Sequence, residues 1–403
     1  MFNMSVLIVD SLDGAKGVQD SAVYVNVEPQ VLDWAITTSG WKKDDLLKRL
    51  KISEQTFEGW RNKESSPTIK QVELLSELVK RPLAVFLLDK PPIEKPLPKD
   101  YRQLPNKEGE FEKKTLLAIR KARRLQALSK ELLENVNATP QIQFDSVDIN
   151  TQPEKIALEY RKLFGIDENS AQIKSSRQLF NFLRDTLEEK NIFVFQIAMP
   201  VEDARGFCLV DDLPAVIVVN TKDTIEARTF TLVHELGHVL LRESEIDLPE
   251  KALYARTTNP AEKWCNEFAS TLLLPKELAK QIFATHEKTL TETKTLNTLS
   301  TKYFLSKAML VYNMNKLGFI SKEIYDSVMR RYDPTAIIAP TKTTKKGKFG
   351  ITQDKKCFSE KGQKFVSLVA SNIEKGYITH YDALDYLSVK SNKLEKVMKG
   401  LKK

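Results

Sequence analysis

Two of the four histidines in this 403-residue chain stand four apart, in His234-Glu235-Leu236-Gly237-His238. At roughly 1% His and 7% Glu, as here, a chain of this length produces His-Glu-x-x-His by chance ~0.003 times, so the pattern constrains the fold more than any other feature. Its setting is helical. Asp223 and Glu226 have the spacing of a capping box, and Ile225, Thr229, Leu232, Val233, Leu236, Val239 and Leu240 give a helix that is apolar over much of its circumference. On such a helix the imidazoles of His234 and His238 project from nearly one face and reach one metal ion. Glu235 lies about 100° further round, placed to take a proton from water activated at that ion.

A catalytic zinc site uses three protein ligands and keeps a position open. The next histidines, His286 and His380, are far downstream, so the third ligand is expected to be a carboxylate. Glu262, 24 residues beyond His238, is the leading choice. Asn259, Pro260 and Glu262 also read as an ordinary helix start, and Glu267, Asp247, Glu245 and Glu243 remain open on spacing alone. Cys265 reads as a small apolar core residue. Zn2+ is the expected cofactor, with Mn2+ the alternative.

At this length more than one hydrophobic core is expected. Residues 1–22 carry no sustained period and read as a tail. Residues 23–92 hold four or five short helices, with Ser53 as an N-cap after a tight turn, the pattern of a helix-turn-helix. Residues 93–152 read as a proline-rich linker, a basic helix over 111–136 and a second linker. The core expected at 153–275 has helices at 153–164 and 176–189 and strands at 192–197, 206–210 and 215–219. A helical extension over 276–338 and a Lys-rich helical tail over 339–403 follow. The fold class is therefore mainly α with a small β-sheet: an all-α head, an α+β domain and a helical C-terminal extension. Weak echoes of the helix-turn-helix pattern recur at Leu296–Leu317 and Tyr377–Met398.

The formal charge of +8 is unevenly distributed. Residues 341–403 contain 15 lysines, no arginine and 6 acids, whereas residues 1–340 are nearly neutral. A solvated Lys-rich face is the ordinary reading of such a tail, and non-specific DNA contact the functional one. Three widely spaced cysteines argue for a reducing compartment. The apolar start Met1–Val9 lacks a basic flank and is too short to span a membrane. A cytoplasmic protein without membrane contact is expected.

Arg228-Thr229-Phe230-Thr231-Leu232-Val233 running into His234–His238, then Glu262 to Pro275 with Asn266, Phe268-Ala269 and Leu272-Leu273-Leu274-Pro275, resembles the ImmA/IrrE family of metallopeptidases. Arg205-Gly206-Phe207 and Val218-Val219-Asn220 resemble the same family's lead-in. Cys265 departs from it, since Ala is commoner there. The resemblance implies His234, His238 and Glu262 as metal ligands, Glu235 as the catalytic acid–base, and a gluzincin-like zinc endopeptidase. Its implied substrate is a partner regulator, an XRE-type repressor or antitoxin-like protein.

Residues 29–92 resemble XRE-type domains through Ser53-Glu54-Gln55-Thr56-Phe57-Glu58-Gly59-Trp60-Arg61. The run Lys80-Arg81-Pro82-Leu83-Ala84-Val85-Phe86 resembles the version fused to such peptidases. Gln55, Thr56 and Arg61 are then the expected contacts to DNA bases or phosphates. Against this, the segment holds 11 basic and 9 acidic residues, and Glu54 and Glu58 lie on the reading helix. Protein docking is the competing role. The alternative for the whole chain is a DNA-binding regulator whose metal site is sensory or structural.

Overall fold

The computed structural model of the chain describes residues 23–94, 113–242, 246–247, 259–332 and 352–401. They fall into two compact units, residues 23–94 with 113–117, and residues 118–401. The expected tail 1–22, the spacer beyond Glu94 and the stretch from Lys342 to Phe349 lie outside the described residues. The architecture is mainly helical with one small sheet, as expected. No described helix is long and apolar enough to cross a membrane.

In the first unit, α1 (Pro29–Thr37), α2 (Lys43–Leu50), α3 (Glu54–Arg61) and α4 (Ile69–Val79) precede a 3-10 turn at Leu83–Leu87. Their short apolar repeats meet in one core of Leu32, Leu46, Leu50, Phe57, Trp60, Val72, Leu75 and Phe86. Between α2 and α3, Lys51 takes a left-handed conformation (φ 57°) and the Ile52 N–H donates to the Leu47 carbonyl (3.2 Å). Ser53 Oγ then caps α3 by accepting from the Thr56 N–H (3.1 Å).

In the second unit, α5 (Lys113–Asn135), which gives its first five residues to the first unit, precedes α6 (Pro153–Leu163), α7 (Ile166–Asn169) and α8 (Ser176–Glu189). Residues 138–152, expected as linker, form no helix or strand but are tied down. Phe144 is buried, the Val147 N–H donates to the Leu240 carbonyl (2.9 Å), and the Gln143 N–H donates to that of Lys190 (3.1 Å). Strands β1 (Ile192–Ile197), β2 (Gly206–Leu209), β3 (Ala215–Asn220) and β4 (Ile246–Asp247) make a sheet in the order β1-β3-β2-β4. β1 and β3 run parallel, and the other pairs antiparallel.

One face of the sheet, with Ile192, Val194, Cys208, Ile217 and Val219, shares the core of α8 and α9 (Ile225–Leu241). Then follow α10 (Pro260–Leu273), α11 (Lys276–Thr285), α12 (Thr293–Tyr303), α13 (Lys307–Lys316) and α14 (Lys322–Met329). The Lys-rich C-terminal segment is part of the fold. It forms α15 (Gln353–Lys361), α16 (Gln363–Glu374), α17 (His380–Leu387) and α18 (Ser391–Lys399). Here α15 lies alongside β1, the outer strand on that side, where Gln196 Nε2 donates to the Ser359 carbonyl (2.6 Å). Phe365 of α16 meets Phe195 edge-on at 5.5 Å between ring centres. All six residues of β1 are buried, which an outer strand achieves only when another element covers it.

The junction with α16 holds a buried acid. Glu188 Oε2 accepts from the Lys364 N–H (2.9 Å), and a Cβ on Gly362 would collide with its carboxylate. Burial pushes the Glu188 carboxyl up to about 7. The folded chain therefore holds an extra proton between its ordinary pKa of 4.5 and about 7, and stability falls as pH rises through that window. Glu188→Gln keeps an acceptor without the buried charge. It is expected to match the parent at pH 5 and to exceed it at pH 8 by on the order of 3 kcal/mol, read from thermal melts at the two pH values.

Candidate metal centre

Helix α9 is positioned by its ends and its burial. Thr224 caps it, its Oγ1 accepting from the Ala227 N–H (3.3 Å), one residue later than the Asp223 capping box expected from sequence. Asp223 instead pairs with Arg205 (2.6 Å), and Glu226 accepts from Ser176 Oγ (2.6 Å). From Thr229 to Leu240 every residue is buried, including His234, Glu235 and His238 at 0 % exposure. Burial on that scale fixes the rotamers of the polar residues as firmly as those of their apolar neighbours.

The partner helix α10 begins with Asn259 Oδ1 accepting from the Ala261 N–H (2.9 Å) and with Pro260 at its first position. Glu262, in the first turn, turns its carboxylate to the histidines. Oε2 lies 3.4 Å from His234 Nε2 and Oε1 lies 3.3 Å from His238 Nε2, while the two Nε2 atoms are 3.1 Å apart. Among the described residues this is the cluster of donor atoms that could hold a metal ion.

The donors fit such an ion in kind and spacing. Ligands at about 2.0–2.1 Å in a tetrahedron lie ~3.3 Å from one another, which the three observed separations approach. The electrostatics agree. Burial opposes ionisation of Glu262, yet the two imidazoles beside it hold its carboxyl well below the usual carboxylate range. The cluster is thus suited to anionic oxygen facing positive charge.

The rival carboxylate Glu267 is engaged elsewhere, pairing with Lys316 and accepting from Thr271 Oγ1 (3.2 Å). Glu243 and Glu245 lie outside the described residues, as does the Asp247 side chain. His286 turns its ring Nδ1 to the Ile282 carbonyl (3.0 Å). Cys265 is a buried packing residue, as read.

Two glycines missed as functional set the close approaches. A Cβ on Gly237 would lie 2.8 Å from Cys265 Sγ and 3.2 Å from Cys265 Cα, so only glycine lets α9 and α10 meet where their ligands face each other. A Cβ on Gly206 of β2 would lie 2.7 Å from the Val218 carbonyl oxygen and 3.4 Å from Glu235 Oε1. Glu235 is thereby set against the start of β2. The signal for Gly237 was its position inside the motif, where Ala would favour a helix more.

In the first unit the expected DNA contacts are distributed differently. Gln55 is exposed. Thr56 shares a hydrogen bond with Ser53 Oγ (2.8 Å). Arg61 is paired with Asp33 (2.8 Å) and Glu58 (3.0 Å), and Lys43 with Glu54 (3.0 Å) and Glu58 (2.8 Å).

Residues 187–315, which carry the sheet and both ligand helices, match the family described as the IrrE N-terminal-like domain, a peptidase family (peptidase M78). No curated protein matches the chain.

Proposed function

We propose that the second unit is a zinc endopeptidase that cleaves a partner transcriptional regulator, an XRE-type repressor or antitoxin-like protein, and that the first unit is an XRE-type helix-turn-helix fused to it. The reading rests on one observation, the triangle of His234 Nε2, His238 Nε2 and the Glu262 carboxylate, and is supported by the peptidase-family match over 187–315. His234, His238 and Glu262 would hold the ion. When bound, it supplies Lewis-acid polarisation of the scissile carbonyl and acidifies water. Glu235 adjoins His234 in the motif and takes the proton released on attack. It then passes that proton to the leaving amine. The buried wall of α9 keeps bulk solvent from the donors, which strengthens each charge interaction there.

The test uses the purified full chain and the regulator encoded beside its gene. Cleavage at one site is expected, lost after treatment with 1,10-phenanthroline and restored by zinc. Cleavage indifferent to metal removal would refute the zinc assignment. An intact regulator together with a sequence-specific footprint on DNA would favour the regulator reading, with the metal sensory or structural.

A further inference from the structure

The turn between α2 and α3 recurs twice in the second unit. After α12, Phe304 is left-handed (φ 59°), the Leu305 N–H donates to the Ser300 carbonyl (3.2 Å), and Ser306 caps α13. After α17, Ser388 is left-handed (φ 55°), the Val389 N–H donates to the Leu384 carbonyl (3.0 Å), and Lys390 occupies the N-cap of α18. In each case a left-handed residue, an inward apolar residue (Ile52, Leu305 or Val389) and an extended cap join two helices across three residues. Such a turn joins the two helices of a helix-turn-helix.

What the second helix presents separates the three. α13 is spent on the core, with Ala308, Met309, Leu310, Val311 and Met314 buried. On α3 and beside it, Arg61, Lys43 and Lys63 are each held by a carboxylate of the chain itself. α18 buries only Leu394 and Val397. Among the described residues, no carboxylate lies within ion-pair distance of Lys390 at its N-cap or of Lys393 and Lys396, the acid facing Lys396 being Asp354 of α15. Lys399 is paired with Glu395 (2.5 Å). The first turn of α18, with Ser391 and Asn392, is exposed.

We infer that α17–α18 is a second helix-turn-helix and that it binds duplex DNA, with Lys390, Lys393 and Lys396 on phosphates and α18 in the major groove. Polyanion binding needs cations that are free to release counterions. α18 offers Lys393 and Lys396, with Lys390 at its N-cap, on the helix that such a turn presents to the groove. The cations Arg61, Lys43 and Lys63 on and beside α3 would each have to leave a carboxylate first. This inference is independent of the peptidase reading.

The test is fluorescence anisotropy on the full-length protein with a labelled 30-bp duplex of mixed sequence across a salt series. Poly-L-glutamate serves as a second probe. The parent is expected to bind the duplex. In the triple variant Lys390→Gln, Lys393→Gln, Lys396→Gln, affinity at low salt should fall at least 30-fold. The slope of log K against log salt should flatten by about 2.7, the value for three phosphate contacts. A charge-matched variant, Lys355→Gln, Lys356→Gln, Lys375→Gln, removes exposed lysines outside the turn and should leave affinity within threefold. Equal losses in both triples would mean diffuse electrostatics and overturn the assignment, as would parent-like binding by the first triple. Binding of poly-L-glutamate without binding of the duplex would overturn it in favour of an acidic protein partner. All six lysines lie outside the buried core, so unchanged melting curves are expected and separate loss of binding from loss of fold.

Discussion

Glu235→Gln is expected to abolish cleavage of the regulator while leaving the metal content and the melting temperature of the protein unchanged. Glu235 is fully buried, and a Cβ on Gly206 would approach its Oε1 to 3.4 Å, so the near-isosteric amide fits the same space. What the amide cannot do is accept a proton. Removing the general base costs ~10²–10⁴-fold in turnover, and the loss should fall on kcat rather than on binding of the regulator. The measurement is single-turnover cleavage followed by gel, with zinc measured on the same preparation. Cleavage at the parental rate by a zinc-loaded Gln variant would remove Glu235 from the mechanism. A variant that had lost its zinc would instead point to a structural part for this carboxylate.

Much of this centre could be read in the sequence. The motif placed both histidines and Glu235 on one helix, and the runs Ile192–Ile197 and Ala215–Val219 placed strands that the structure reproduces within a residue. These were legible because short apolar runs between polar breaks have few alternatives. Glu262 was not settled by spacing, since the residue that begins a helix with Asn259 and Pro260 is as well suited to capping as to ligation. The direction of its side chain, toward both histidines, is what brings it into the candidate cluster. The helix start was misplaced by one because Asp223 and Thr224 are both good caps, and the burial of Arg205 claims Asp223. The C-terminal segment hid its packing for another reason. Its lysines dominate the composition, while the residues that anchor it, among them Phe365, Val366, Val369, Leu387, Val389, Leu394 and Val397, are spread over short helices and the turns between them. The second linker failed similarly, because buried Phe144 and backbone hydrogen bonds, not periodicity, hold it down.

Gly237→Ala carries the second large effect. Alanine is the better helix former by about 1 kcal/mol, so on α9 alone the change would stabilise. The contact across the helices reverses the sign. A methyl placed 2.8 Å from Cys265 Sγ and 3.1 Å from its Cβ forces α9 and α10 apart, and overpacking of this kind costs ~1–3 kcal/mol. The same displacement separates His238 from Glu262, so zinc affinity is expected to fall ~10–100-fold, the range found when the support of a ligand is disturbed. Competition with a chromogenic chelator reads the affinity, and adding Cys265→Ala, which removes the closest atom, should restore part of it. Parental affinity in the single variant would show that the ligand triangle does not depend on this close approach.

The helix laid beside β1 has a consequence for the chain's own solubility. Ile-Phe-Val-Phe-Gln-Ile is a six-residue segment of high β-propensity, without charge or proline, on the outer strand of its sheet. Left uncovered, such a strand is a template for edge-to-edge pairing between molecules and for cross-β stacking. By lying against it, residues 353–361 make the basic C-terminus a guard against self-association as well as a charged surface.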